Sequence, residues 1–234
     1  MSASVRDKLL EQLVSADPIW RHLVGDILGT LEGDTDTARK LVDMLEGRPE
    51  SFHTRGAILH ALGKMNVKEV VPDLLKMLSS GHANGDMIVR AIGRIGGAEA
   101  AMGLFKRLGV PIATPPRIAI ERELGKLKDV AVLRRIEEGL AEADANTQVS
   151  YLYILRATRD SRYSKAVCER LKIERDPDVR KAAIRALGFF DDPDSGKVLM
   201  ELALHGTEQD RKYAIRAIYH RRDAKMTAAV LGRR

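Results

Sequence analysis

Four arginines, Arg90, Arg122, Arg185 and Arg216, each stand three residues before a recurring small-residue position, and Lys64, Arg94, Lys126 and His220 each stand one residue after it. The two columns are four residues apart, so on a helix they share one surface and together present a line of cations. Lys181, beside Arg185 in the same segment, extends it. Side chains of this kind bind anions, either the carboxylates of an acidic protein segment or the phosphates of a nucleic acid. Asp26, His60 and Ile154 break the first column, and Thr158 and Phe189 the second. Tyr151 and Ile154, in the central gap, are candidates for docking an apolar side chain. Chance supplies one or two cations in a column of seven on a surface that is about a quarter to a third charged. Four arginines exceed that.

Other chemistry is poorly provided for. The six histidines (His22, His53, His60, His82, His205 and His220) form no HExxH and no close pair, and with one cysteine there is no CxxC. No catalytic group, metal site or cofactor is therefore expected. The glycines of Gly93-Arg94-Ile95-Gly96-Gly97 lack the Lys-Ser/Thr of a phosphate loop and read as a turn. Cys168 sits between Val167 and Leu171 on an apolar face, which predicts a buried, unreactive thiol.

The frame that positions these cations is a repeat. The run Asp178-Val179-Arg180-Lys181-Ala182-Ala183-Ile184-Arg185-Ala186-Leu187-Gly188 returns in degraded form, with anchors at Gly63, Gly93, Gly125, Ala157, Gly188 and Tyr219. A weaker copy covers residues 19–47 with its anchor at Leu28-Gly29. Before each anchor lies an apolar helix, and after it a polar break and a second apolar helix, such as Val70-Leu74-Leu75-Leu78 or Val198-Leu199-Leu202. One hairpin cannot bury its apolar face alone, so a fixed period of this size predicts an all-α solenoid of about seven stacked helical hairpins. The organisation expected is a single domain over 1–234: a capping helix in 1–18, repeats over 19–220, and a basic cap or tail over 221–234. Asp176-Pro177 and Asp192-Pro193 place an N-cap before a proline whose missing N–H costs nothing in the first turn. No alternating pattern long enough for a sheet occurs.

A second arginine column, Arg55, Arg117, Arg180 and Arg211, lies eight residues before the anchors near helix N-termini. These are expected to tie adjacent repeats together through Asp144, Asp176, Asp178 and Asp210, a structural role suited to arginine's planar fork. The chain carries 39 Lys and Arg against 33 Asp and Glu, a net charge of +6, which suits an anionic partner. No stretch is long and apolar enough to cross a membrane. The first ten residues lack a hydrophobic signal core and the lone cysteine cannot form an internal disulfide, so a cytoplasmic location is expected.

The segment DPDVRKAAIRALG at 176–188, followed by the helix after Asp192-Pro193, resembles a HEAT repeat of the short kind also found in phycobilin lyase subunits. The resemblance is strongest there, fair over 54–78, 86–108 and 208–231, and weak near 19–47 and 146–171. It implies a right-handed superhelix whose concave surface is lined by the Val179-type helices, and a non-enzymatic scaffold that binds a protein partner, here an acidic one, through a basic groove. The alternative is a binder of nucleic-acid phosphates related to HEAT-like DNA glycosylases. Against it stand one tryptophan, Trp20, and 4% aromatics, too few for a lesion pocket of that kind. The His-Glu dipeptides of HEAT-like di-iron hydroxylases are absent.

Overall fold

The computed structural model describes residues 3–14, 17–47, 51–81, 84–110, 112–230 and 232. Among them the chain forms fifteen α-helices, two 3-10 turns and no strand. Two compact units divide it. The first, Met1–Asp129, holds α1 (Ala3–Gln12), α2 (Pro18–Gly29), α3 (Thr35–Glu46), α4 (Phe52–Met65), α5 (Val71–Ser79), α6 (Gly85–Ile95), α7 (Gly97–Leu108) and α8 (Thr114–Leu127). The second, Val130–Arg234, holds α9 (Val130–Gly139), α10 (Ala145–Thr158), α11 (Ser164–Ile173), α12 (Pro177–Leu187), α13 (Pro193–His205), α14 (Glu208–Arg221) and α15 (Ala224–Val230).

Within each unit the first helices of successive hairpins form one row. In the first unit α2 packs on α4, α4 on α6 and α6 on α8; in the second α10 packs on α12 and α12 on α14. The second helices, α5 with α7 and α11 with α13, pack as a second row and also against the next first helix. This is the all-α repeat solenoid the period predicts. Its starts are set locally: Asp17, Asp34, Ser51, Asp144, Asp176, Asp192 and Thr207 each accept a backbone N–H of the following first turn, which offsets orphan donors there.

The apolar columns are the core. Counted from the anchor, positions −5, −4, −2 and −1 are buried as Ile58, Leu59, Ala61 and Leu62 in α4, as Ile88, Val89, Ala91 and Ile92 in α6, and as Ala183, Ile184, Ala186 and Leu187 in α12. Each large side chain so buried contributes about 1.5–3 kcal/mol. The alanine at −2 lets the preceding helix come close: a Cβ built on Gly188 would lie 2.9 Å from Ala217 Cβ, and one on Gly63 3.3 Å from Ala91 Cα. The anchor is thus glycine because of close approach; Gly188 itself has ordinary helical φ.

One repeat corrects the sequence register. Helices α4 and α10 each end on a left-handed residue, Asn66 and Arg159, and each is followed by a 3-10 turn, Lys68–Val70 and Ser161–Tyr163. Superimposing these features puts Arg156, not Ala157, at the anchor. Ile154 then falls on the −2 position of Ala61 and Ala186 and is fully buried, so it is no docking residue. Tyr151, its expected companion, is half-buried, with its ring against Gly139 of α9.

Further helices flank the repeats. Helix α1 packs on α2, and Arg6 pairs with Asp34 at 2.5 Å. Helix α15 packs on α13 and α14, and Arg221 donates to the carbonyl oxygens of Leu187 (3.2 Å), Phe190 and Asp192 (3.1 Å). His82, Arg233 and Arg234 lie outside the described residues.

Candidate functional site

In the first unit the expected cations meet on the α4–α6–α8 row. Arg90, Arg94, Arg122 and Lys126 line an open cleft of ≈ 280 Å³ together with one carboxylate, Glu123. Glu123 is buried at −2, where the other repeats carry alanine or isoleucine, and it fits because Gly93 has no side chain: a Cβ there would meet Glu123 Cγ at 2.7 Å. Arg122 and Lys126 reach Glu123 at 3.1 and 3.0 Å, and Arg90 reaches Asp86 at 3.3 Å. Three of the four cations therefore have a carboxylate partner within the unit.

Lys64 stands in a neighbouring network. It donates to Asp26 at 2.8 Å, and His60 Nε2 lies 2.9 Å from the same oxygen. Arg94 Nη1 lies 3.0 Å from His60 Nδ1. Arginine has only donors, so Nδ1 accepts and the imidazole proton sits on Nε2, donated to Asp26. Hydrogen bonds from Lys64 and then His60 hold the Asp26 carboxyl down to about 2. A depressed carboxylate stabilises the fold above its ordinary value near ~3.9 and loses that contribution as pH falls toward the folded value. Carboxyl-carbon NMR is expected to find Asp26 titrating near 2, and in Lys64→Met higher, part of the way back to the ordinary range because the His60 bond remains; an unshifted Asp26 in the parent chain would refute the network.

In the second unit Arg185, Arg216, Lys181 and His220 lie on the α12–α14 row, but their surroundings differ. Lys181 pairs with Asp178 at 3.1 Å. The Arg185 guanidinium stands 6.0 Å from the centre of the Tyr213 ring. Arg156 and Arg159, which the sequence reading did not select, stand 4.9 and 5.5 Å from the centre of Phe189, and Arg156 is 5.6 Å from that of Tyr153. His220 lies 6.1 Å from Phe189. Burial lowers the Arg156 pKa; Tyr153 opposes that and the Arg185 charge adds to it. Among the described residues no carboxylate lies within ion-pair distance of Arg156, Arg159, Arg185 or Arg216.

The second arginine column divides: Arg180 and Arg55 bridge to the next repeat, Arg117 stands 3.6 Å from Glu121 of its own helix, and Arg211 is exposed. Arg180 grips Asp210 of the next repeat at 2.8 Å and the carbonyls of Leu171 (3.0 Å) and Glu174 (2.8 Å). Arg55 reaches Asn84 at 2.8 Å. Arg21, at the equivalent place eight residues before Gly29, is buried and reaches Ser51 at 3.2 Å; the same −8 spacing applied to the weak first copy identifies it. Asp144 and Asp176 cap their own helices, and Asp178 serves Lys181; of the four expected acidic partners, Asp210 bridges to this column. Cys168 is buried, which pushes its thiol up to about 11. No group of three or more His, Cys, Asp or Glu side chains converges as a metal site among the described residues, and no helix there is long and apolar enough to cross a membrane.

Stacked helical hairpins joined by inter-repeat arginines define a repeat scaffold. The family model for HEAT repeats matches residues 6–86 and 133–218, well over half of the chain, and the chain belongs to that family. Scaffolds of this class serve protein interaction. No curated protein matches the chain. Among the solved structures that resemble it are two engineered proteins from the Northeast Structural Genomics Consortium. One is 18% identical with a TM-score of 0.39, over 97% of this chain and 72% of the other. The second is 16% identical with a TM-score of 0.32, over 95% and 97%.

Proposed function

We propose that the chain is a non-enzymatic HEAT-repeat scaffold that binds an acidic segment of a partner protein along the exposed face of its first-helix rows. The observation that carries this reading is the α6–α8 cleft, where Arg90, Arg94, Arg122 and Lys126 surround the single carboxylate of Glu123. Glu123 holds Arg122 and Lys126, and Asp86 holds Arg90; two carboxylates neutralise only part of the charge of four cations, which leaves net positive potential facing solvent. An incoming carboxylate meets guanidinium forks already oriented, so less side-chain entropy is lost on binding.

Fluorescence anisotropy with a labelled poly-glutamate peptide tests this. Arg90→Glu with Arg122→Glu is expected to weaken binding by at least about tenfold, equivalent to ~1.4 kcal/mol. Equal binding by the double variant would sink the cleft. A duplex oligonucleotide, bound more tightly than the peptide and with a log–log salt slope of about −0.9 per neutralised phosphate, would establish the nucleic-acid reading instead.

A further inference from the structure

The face formed by α10, α12 and α14 holds its cations in a different way from the first-unit cleft. Arg156 occupies the position that is glycine at 29, 63, 93, 125 and 188, and Phe189 occupies the +1 position that carries Lys64, Arg94 and Lys126. Cation and neighbouring position have exchanged occupants across the α10–α12 contact. The charge stays on the face, but the guanidinium lies against a ring instead of beside a carboxylate.

A ring orients a guanidinium without cancelling its charge. Arg156 and Arg159 are held about Phe189, and Arg185 stands against Tyr213 at the α12–α14 contact. Bringing like charges together on one ring is unfavourable unless an anion joins them; no described carboxylate lies within ion-pair distance of either, and Asp191 is the one acid lining the cleft beside Arg159 and Phe189. A partner that carries more than one charge answers both guanidiniums at once. A phosphoryl group carries about −1.5 to −2 at neutral pH and offers three oxygens to planar forks, whereas a carboxylate offers one charge and two oxygens. Farther along α14, Ile215 and Tyr219 are one turn apart and 41% and 73% exposed, so apolar surface continues beside the cations. Phe189 stands against two guanidiniums, which leaves it poorly placed as a stacking platform for nucleobases. Together, convergent guanidiniums and adjoining apolar surface fit a modified protein segment, the recognition mode in which arginine clusters read phosphorylated motifs.

We propose that this face docks a phosphorylated segment of a partner protein, its phosphoryl group seated on Arg156 and Arg159 and a nearby apolar side chain on Ile215 and Tyr219. The proposal rests on the scaffold reading above and names the chemistry of a second binding face. The test uses the full chain and three labelled peptides of one leucine-flanked sequence, with phosphoserine, serine or glutamate at the centre. The phosphopeptide is expected to bind at least about tenfold more tightly than either twin. Arg156→Met and Arg159→Ala are each expected to weaken it about fivefold or more. Arg159 is exposed, so its removal leaves the packing untouched, and an unchanged thermal midpoint verifies this. Arg90→Glu with Arg122→Glu is expected to leave phosphopeptide binding unchanged. Equal binding of the glutamate twin would overturn phosphoryl recognition while leaving the acidic-partner reading intact. Indifference to both second-unit variants would also overturn it, as would displacement of the phosphopeptide by a duplex oligonucleotide at lower concentration. Failure of every anionic peptide, poly-glutamate included, would remove both readings.

Discussion

Glu174→Ala is expected to lower unfolding stability by about 3–5 kcal/mol, the usual cost of removing one partner from a buried ion pair. Glu174 closes α11 with its side chain 7% exposed; it pairs with Arg170, itself 16% exposed, and accepts the backbone N–H groups of Arg175 and Asp176 at 2.7 Å. Alanine would strand a buried cation and two backbone donors at the junction between α11 and α12. Gln148, which accepts from Arg170 at 3.2 Å, cannot answer its charge. Glu174→Gln keeps an acceptor for the two N–H groups and loses the charge, so it should cost less than alanine. Adding Arg170→Met to Glu174→Gln removes the stranded cation and should recover part of the loss. Urea unfolding of the four chains measures this; an alanine variant within about 0.5 kcal/mol of the parent, the range of an ordinary surface change, would show that the pair contributes nothing.

The second large effect contrasts two glycine-to-alanine changes. In Gly188→Ala the new methyl would stand 2.9 Å from Ala217 Cβ, 3.0 Å from its Cα and 3.1 Å from its carbonyl oxygen. Two of those atoms are backbone, so α12 and α14 must move apart, at about 1–3 kcal/mol. In Gly56→Ala, inside α4, the methyl would meet only the flexible end of Met87 at 3.5 Å, an ordinary contact. There the gain in helix propensity, about 0.5–1 kcal/mol, is expected to show as stabilisation. Thermal unfolding of the two variants should move in opposite directions. Equal shifts would mean that the anchor glycines do not set the inter-helix distance.

Much of this architecture was legible because the repeat states it several times. Ala186-Leu187-Gly188 and Ala91-Ile92-Gly93 mark the same place on two helices, and each aspartate before a proline marks a start. Legibility failed where one repeat departs from the others. Without glycine near 157 the eye settles on alanine, the smallest residue available, and the frame slips by one. Ile154 then reads as exposed and Arg156 as incidental. The second helix held the correction, since Val167 and Leu171 match Leu74 and Leu78 only if Arg156 matches Gly63. The site was half legible for a different reason. Spacing within a helix reveals which cations share a face, but their neutralisation depends on carboxylates from another repeat, such as Asp26 for Lys64. Glu123 was hidden by its place at −2, where the pattern calls for an apolar residue.

Arg156 also bears on how such a chain tolerates improvement. Averaging the repeats, as in the design of idealised arrays, would put glycine at this position and lysine or arginine in place of Phe189. The product would be more regular along its length and should fold at least as well. It would also erase the one ring-held guanidinium pair in the described chain, because averaging discards whatever occurs only once. A residue that departs from its own repeat is therefore the place to look for what an individual solenoid has acquired beyond the ability to stack.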